Sequence, residues 1–324
     1  MVTGIIYTPE YQNHQNYPEQ PDRVLKTIEY FQHYGLKDFI VPASYDERYI
    51  LSVHTREYLE KVKETEGIDE TDNVYANSLL SAYGSLTAGE LLISGAIDNA
   101  FVLNRPPGHH THAHRGGGFC YLNNAAILAK YLQEHGKTKI MIIDWDAHHG
   151  DGTESIFYED SSVLYTSIHQ SPLYPGTGKV TDTGAGDGEG FTINIPVPAG
   201  SGHDTYRSIF EKIIIPAGRV FSPDAVIISA GQDCHLGDPL TGLNLRTGSF
   251  HVMTRMILKE ISTQVISVLE GGYNIENLSA ANYAIICALR REENPFYVKK
   301  QKEPESAAEA LEKALLSAKS YGWI

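Results

Sequence analysis

The chain has 324 residues, of which 42% are hydrophobic and 20% are charged, so it is neither a disordered nor a collagen-like sequence. No apolar run is long enough for a membrane span, and the first residues lack the features of a signal peptide. We therefore expect a cytoplasmic protein with no membrane partner. The net charge of −14 disfavours direct binding to nucleic acid and mildly favours cationic substrates. Three widely spaced cysteines predict reduced thiols.

Short β-branched segments alternate with helix-like segments along the chain. The predicted strands are residues 4–7, 100–103, 139–143, 163–168, 225–229 and 264–269, with a further strand-like segment at 191–196. The predicted helices are residues 79–97, 123–135, 205–221 and 249–261. This alternation predicts an α/β fold with a mainly parallel central sheet and helices on both faces.

We find no linker and no internal repeat before residue 292, which favours a single domain over residues 1–294. Residues 295–324 form a tail in which Ser306–Glu309 resembles a capping box at the start of an amphipathic helix. That helix either contacts another subunit or docks on its own domain, and we favour docking. The oligomeric state stays open.

Polar residues with metal-binding chemistry follow a predicted strand at Asp144, Asp146 and His148. Half of the 14 histidines lie between residues 109 and 149. If the chain stays extended here, alternate residues share one face, so these three side chains would point together. An Asp-x-His pair can bind a divalent metal, but a zinc centre for hydrolysis needs a third protein ligand. Alone, this segment could equally be a salt-bridged strand end.

Three other predicted strands also end in reactive side chains. One leads into Asp233, one leads through Pro-Pro-Gly into His109 and His110, and one leads through Glu-Gly-Gly into Tyr273. The carboxyl ends of parallel strands line the crevice where such sheets bind ligands. Any one of these residues could be structural, but together they indicate metal ligands, a base and an electrophile at one site.

The sequence resembles the zinc-dependent histone deacetylase family, which includes acetylpolyamine hydrolases. The resemblance reaches to about residue 290 and is carried, in the family's order, by the motifs at Arg105–His110, Gly116–Tyr121, Asp144–Gly152, Pro172–Gly178, Ser229–Asp233 and Leu269–Tyr273. It implies the arginase/deacetylase fold and a hydrolase that removes acetyl groups from lysine side chains and releases acetate. Its substrates would be acetylated lysine in a protein or peptide, or an acetylated small amine.

The resemblance also implies a role for individual residues. The zinc ligands would be Asp146, His148 and Asp233. The catalytic residues would be His110, which is the favoured general base, His109, their carboxylate partners Asp151 and Asp144, and Tyr273. The substrate-binding residues would be Gly118, Phe119, Tyr174 and Leu240. A structural potassium ion would be bound by Asp144, Asp146, His148, Ser167 and Ile168.

Some positions depart from the family pattern, and they bear on substrate preference. Gln232 and Cys234 flank Asp233 where Phe and Ala are common, and Tyr174 stands where Phe is frequent. The polyamine-selective branch has an acidic residue at the position of Leu240. The leucine at this position therefore favours acetyl-lysine over acetylpolyamine as the substrate. The remaining histidines near these motifs, His112, His114, His169, His203 and His235, are left out of the predicted catalytic set.

Two other functions fit parts of the pattern. A binuclear manganese ureohydrolase shares the Asp-Ala-His motif, but it needs a further bridging carboxylate where Cys234 and His235 follow Asp233. A silent acetyl-lysine binder would need neither the His109–His110 pair nor Tyr273. Both are disfavoured.

Overall fold

The computed structural model describes residues 1–13, 16–64, 74–300 and 302–324. Its seven strands are β1 (Thr3–Ile6), β2 (Asn99–Val102), β3 (Ile140–Asp144), β4 (Val163–Gln170), β5 (Thr192–Val197), β6 (Ala225–Ala230) and β7 (Val265–Leu269). They form one sheet in the order β1-β2-β7-β6-β3-β4-β5. Every neighbouring pair is parallel, as the alternating pattern predicts.

Eleven α-helices lie in the described residues. They are α1 (Asp22–His33), α2 (Arg48–Leu51), α3 (Arg56–Glu64), α4 (Val74–Ile93), α5 (Asn124–Glu134), α6 (Asp151–Phe157), α7 (His203–Ile209), α8 (Ile215–Phe221), α9 (Thr247–Glu260), α10 (Ile275–Leu289) and α11 (Glu305–Ser320). None of the helices in this part of the chain combines the length and the apolar character that crossing a membrane requires.

Helices cover both faces of the sheet because alternate residues of each strand point to opposite sides. Ile140 and Ile142 of β3 pack into a core with residues of α4 and α5. Met141 and Ile143 pack into a second core with residues of α1, α8, α9 and α10. A strand buried on both faces has an almost continuous apolar sequence, which is what β3 shows.

Two predicted helices differ from the observed ones. The segment predicted as 79–97 is helical over Val74–Ile93, and Gly95 after it has a φ of 74°, a conformation typical of helix ends. The segment predicted as 205–221 consists of α7 and α8 joined by a π-helical turn, Phe210–Ile214. A turn of this kind inserts an extra residue that the apolar periodicity does not reveal.

The strand order places the ends of β2, β7, β6 and β3 side by side. Asp144 at the end of β3 is in register with Ser229 of β6, and Ala230 of β6 is in register with Leu269 of β7. Val102 of β2 is in register with Val268 of β7. The four predicted groups of reactive residues therefore leave four neighbouring strands at the same edge of the sheet.

Candidate active site

Asp146, His148 and Asp233 meet where β3 and β6 end. Nδ1 of His148 lies 3.1 Å from Oδ1 of Asp146 and 2.9 Å from Oδ2 of Asp233. One donor atom from each of the three residues lies within 4.8 Å of the others. Both carboxylates are fully buried, and His148 is partly buried. The structure therefore brings the three predicted zinc ligands together.

On each carboxylate, the oxygen that does not face His148 accepts a hydrogen bond from a backbone N–H group. Gly271 donates to Oδ2 of Asp146 at 2.8 Å, and Ala147 donates to Oδ1 of Asp233 at 2.8 Å. A Cβ atom on Gly271 would collide with both carboxylates, so only glycine lets the chain after β7 pass this close.

The charges at this site favour a bound cation. Burial and the neighbouring Asp146 raise the pKa of Asp233 to about 7. Burial lowers the pKa of His148, but Asp233 and Asp146 outweigh it and raise the pKa to about 10. Buried carboxylates are normally paired or bound to a metal, and carboxylate oxygens and imidazole nitrogens are both zinc ligands.

His109 and His110 each present one ring nitrogen to a carboxylate. Nδ1 of His109 lies 3.0 Å from Oδ2 of Asp144, and Nδ1 of His110 lies 2.8 Å from Oδ1 of Asp151. Since an ionised carboxylate only accepts hydrogen bonds, each ring carries a proton on Nδ1. Glu270 holds the same segment by accepting from the backbone N–H of His109 at 3.1 Å.

The two histidines differ in charge. Burial and the nearby His109 lower the pKa of His110 to about 3, so His110 is neutral at pH 7. Burial also lowers the pKa of His109, but Asp146 and Asp144 outweigh it and hold the pKa well above its usual value. The neutral ring with a free Nε2 is therefore His110.

Tyr273 follows β7 and is held through both its backbone and its ring. Its N–H donates to Oδ2 of Asp238 at 2.7 Å, and the guanidinium of Arg23 lies 5.0 Å from the ring centroid. Nε of Arg23 donates to the carbonyl of Gly272 at 2.7 Å. Burial raises the pKa of Tyr273 well above its usual value, so the hydroxyl stays protonated.

Two of the predicted substrate-binding residues, Phe119 and Tyr174, border this centre. The ring of Phe119 lies 5.9 Å from that of Tyr273, and the ring of Tyr174 lies 5.1 Å from that of His110. The carbonyl of Gly118 accepts from the Cys120 thiol at 3.4 Å. The three cysteines are buried and form no disulfide in the structure.

Leu240 lies in a loop that contacts both Asp233 and Tyr273. Leu240 itself is 38% exposed, and its N–H donates to Oδ1 of Asp238 at 3.0 Å. The hydroxyl of Thr241 donates to the carbonyl of Asp233 at 2.5 Å.

The residues predicted to bind potassium lie on β3 and β4 and, for Asp146 and His148, in the segment that directly follows β3. Asp144 and Ser167 are directly opposite each other in register, and Ile168 follows Ser167. Asp144 and Ser167 are fully buried. The hydroxyl of Ser167 also forms a hydrogen bond of 2.9 Å with Nδ1 of His169.

Cys234 and His235 stand where a binuclear manganese site would need a further bridging carboxylate. Nε2 of His235 forms a hydrogen bond of 3.0 Å with the Thr247 hydroxyl. In the described ranges, the metal-type cluster beside β3 and β6 has two carboxylates and one histidine, without a further bridging carboxylate.

Two contact residues were not predicted from the sequence. Asp238 holds the backbone of Tyr273, and Nε2 of His112 lies 2.8 Å from Oδ2 of Asp151. Asp238 lies in the segment singled out for Leu240, whereas His112 was set aside as an ordinary polar histidine. No spacing rule in the sequence points to either contact.

Comparison with known proteins identifies the family. Residues 17–289 match the model of the Histone deacetylase domain. The chain is 41% identical over 310 residues to a "Probable deacetylase" of Archaeoglobus fulgidus, covering 89% of this chain and 86% of that protein. It is 39% identical over 272 residues to "Histone deacetylase 10, chloroplastic" of Oryza sativa subsp. japonica, covering 76% of this chain and 60% of that protein.

The fold also matches a solved structure, the crystal structure of the HDA15 HD domain. The TM-score is 0.92 with 30% sequence identity, covering 99% of this chain and 97% of that chain. This match confirms the predicted arginase/deacetylase fold. The cytoplasmic location stays a prediction. The motifs, the fold and these relatives together show that the chain belongs to the histone deacetylase family of amide-hydrolysing deacetylases.

Proposed function

We propose that the protein is a zinc-dependent deacetylase that removes acetyl groups from lysine side chains of proteins or peptides and releases acetate. The observation that carries this proposal is the meeting of Asp146, His148 and Asp233 within 4.8 Å at the strand ends that also hold the tandem histidines. Family membership supports the reaction class.

Zinc would be held by Asp146, His148 and Asp233. When bound, it supplies a Lewis acid that polarises the acetyl carbonyl and makes a water molecule acidic enough to react near pH 7. The donor set fits, because carboxylate oxygens and an imidazole nitrogen are zinc ligands and three protein ligands leave the open position that a catalytic zinc site keeps.

His110 is the proposed general base. Asp151 holds its Nδ1–H, so Nε2 has a lone pair that can take a proton from the attacking water. The same nitrogen can then return that proton to the departing amine. His109, whose Nδ1 is held by Asp144, is the second member of the proposed pair.

Tyr273 is the proposed donor to the substrate carbonyl. Its hydroxyl is protonated and can hydrogen-bond the negative charge that develops on that oxygen. Phe119 and Tyr174 would enclose the acyl-lysine chain, and the Gly118 carbonyl would accept the N–H of the amide being cleaved. Potassium would be bound by Asp144, Ser167 and carbonyl groups of Asp146, His148 and Ile168.

The alternative substrate is an acetylated polyamine, and Leu240 decides between the two. An acidic side chain at this position would attract the distal ammonium of a polyamine, whereas the half-exposed Leu240 offers apolar contact. The net charge of −14 favours cationic substrates in general, but a diffuse field does not select one amine over another.

A substrate panel with one variant tests this proposal. We expect a higher kcat/KM for acetyl-lysine peptides than for acetylspermidine, and we expect Leu240→Glu to shift the ratio toward polyamine by about tenfold. The expected shift is about tenfold because the attraction between one carboxylate and a partly solvated ammonium is on the order of 1 kcal/mol. Leu316→Glu on exposed α11 adds the same charge away from the site and serves as the control. A wild-type preference for acetylspermidine over every peptide would overturn the choice of substrate.

A further inference from the structure

His112 forms a hydrogen bond with the carboxylate that holds the proposed base. It lies two residues after His110 and is 7% exposed. Its Nε2 lies 2.8 Å from Oδ2 of Asp151, while Oδ1 of the same carboxylate lies 2.8 Å from Nδ1 of His110. Asp151 therefore joins two imidazoles, with one on each of its oxygens.

The proton positions follow from the chemistry of these groups. An ionised carboxylate offers no proton, so the facing nitrogen of His112 carries one, as does the facing nitrogen of His110. Burial raises the pKa of Asp151, but the hydrogen bonds from His110 and His112 outweigh it and keep that pKa below its usual value. Asp151 is therefore ionised, and both of its oxygens are engaged.

Arg115 adds a positive charge outside this pair. Its Nη2 lies 2.7 Å from Nε2 of His112 and 3.7 Å from Oδ2 of Asp151. Because a protonated Nε2 has no lone pair, it cannot accept a hydrogen bond from Arg115 while it donates to Asp151. In this tautomer the guanidinium interacts through its charge with the Asp151 carboxylate, 3.7 Å away. The Arg115 side chain is 58% exposed, and water screens its charge, which leaves His112 as the buried group that fixes Oδ2.

The loop also fixes the position of His112. Nδ1 of His54 donates to the carbonyl of His112 at 3.0 Å, and the N–H of His112 donates to the carbonyl of Arg115 at 2.9 Å. His114 is the other titratable group facing the ring, with ring centroids 6.2 Å apart, and it is exposed. Hydrogen bonds to the backbone of His112 therefore fix the residue in the position that places its ring against Asp151.

We propose that His112 is a positioning residue for the His110 base: by occupying Oδ2 it prevents the Asp151 carboxylate from rotating, so that Oδ1 stays aligned with Nδ1 of His110. This inference rests on the proposed function. Without the second hydrogen bond, the carboxylate can turn toward Arg115, and His110 loses the partner that keeps its proton on Nδ1 and its lone pair on Nε2. The base would then be less often in its reactive form.

The kinetic test compares three variants with the wild type on an acetyl-lysine peptide. His112→Phe removes the donor, and we expect kcat to fall about tenfold with KM within about twofold, because the residue acts through Asp151. His112→Gln restores an N–H donor of similar reach and should recover most of the loss. His114→Ala removes the exposed neighbouring ring and serves as the matched control. If His112→Phe does not fold, His112→Asn, whose amide is too short to reach Oδ2, replaces it.

A spectroscopic test separates this inference from the proposed function. In zinc-loaded protein labelled on histidine, NMR reports the imidazole N–H protons that are hydrogen-bonded to carboxylates. We expect His112→Phe to lose one such signal and to shift the Nδ1–H signal of His110. An unchanged His110 signal, or an unchanged kcat in the folded variant, would overturn the inference. A wild-type protein that hydrolyses no acetyl amide would refute the proposed function instead, while the NMR comparison would still decide the role of His112.

Discussion

The ring of Tyr273 contacts both Arg23 and Phe119. The guanidinium of Arg23 lies 5.0 Å from the ring centroid, and the Phe119 ring lies 5.9 Å away. Both contacts use the aromatic ring, so removing only the oxygen should preserve them. The tyrosine hydroxyl can therefore be tested without disturbing the packing.

We predict that Tyr273→Phe lowers kcat by about 10²–10³ while zinc content and thermal stability stay near wild type, since that is the usual cost of losing one donor to a developing oxyanion. Steady-state kinetics with metal analysis checks this. Tyr297→Phe, at an 87% exposed tyrosine, is the control. Turnover near wild type in Tyr273→Phe would remove the hydroxyl from the mechanism.

Residue chemistry explains which site residues the sequence could predict. Asp146, His148 and Asp233 follow apolar strands, and their type and position together indicate metal binding. His112 and Asp238 contact residues 39 and 35 positions away in the chain, and no local pattern encodes such a contact. The alternation rule placed Asp144 with Asp146 and His148, but β3 ends at Asp144, whose carboxylate faces His109.

At the level of elements, the positions of the strands could be predicted from the sequence, whereas their order in the sheet could not. Buried parallel strands all have similar apolar sequences, so nothing in β3 specifies that it pairs with both β4 and β6. That order is what makes the ends of β2, β7, β6 and β3 neighbours. The site could be predicted as a set of residues, whereas its geometry required the fold.

The loop from β2 to α5, which carries His109 and His110, is anchored by His54. Nδ1 of His54 donates to the carbonyl of His112 at 3.0 Å, and Nε2 accepts from the N–H of Asn123 at 2.9 Å. These two bonds require a neutral ring with one proton. Burial lowers the pKa of His54 to about 4, which keeps the ring neutral in the folded protein.

This anchor predicts a loss of stability in acid. Below an unfolded pKa of about 6.5 the unfolded chain takes up a proton that folded His54 accepts only near pH 4, so the free energy of unfolding falls as pH drops through this window. The contribution approaches about 3 kcal/mol, at 1.36 kcal/mol per pKa unit. Urea unfolding at pH 7 and pH 4.5 should show a smaller decrease for His54→Gln than for the wild type or for His114→Gln. An equal decrease in all three proteins would contradict this prediction.

At the scale of the whole molecule, the C-terminal segment packs onto the sheet edge. Nε1 of Trp323 donates to the carbonyl of Gly190 at 2.6 Å, and its ring lies 5.2 Å from that of Phe191 and 6.1 Å from that of Phe221. The carboxylate of Glu303 accepts from the N–H of Gly202 at 2.7 Å, just before α7. The segment after residue 294 therefore contributes to the same packed unit as the sheet.

We predict that Trp323→Ala lowers the free energy of unfolding by about 3 kcal/mol, the range expected when a buried aromatic ring is removed. Urea unfolding measures this change. Leu316→Ala, at a 64% exposed position of α11, should change stability by less than about 0.5 kcal/mol. Equal effects of the two substitutions would show that the segment is not part of the cooperative unit.

Titration of metal-free protein with zinc, followed by acetate release from an acetyl-lysine peptide, tests the central claim most directly. In the proposed function, Asp146, His148 and Asp233 together hold one zinc ion, so activity should be absent without metal and rise until one zinc per chain is bound. Asp233→Ala should remove both the tight binding and the activity. Acetate release by the metal-free protein, or activity that requires two manganese ions per chain, would contradict the account.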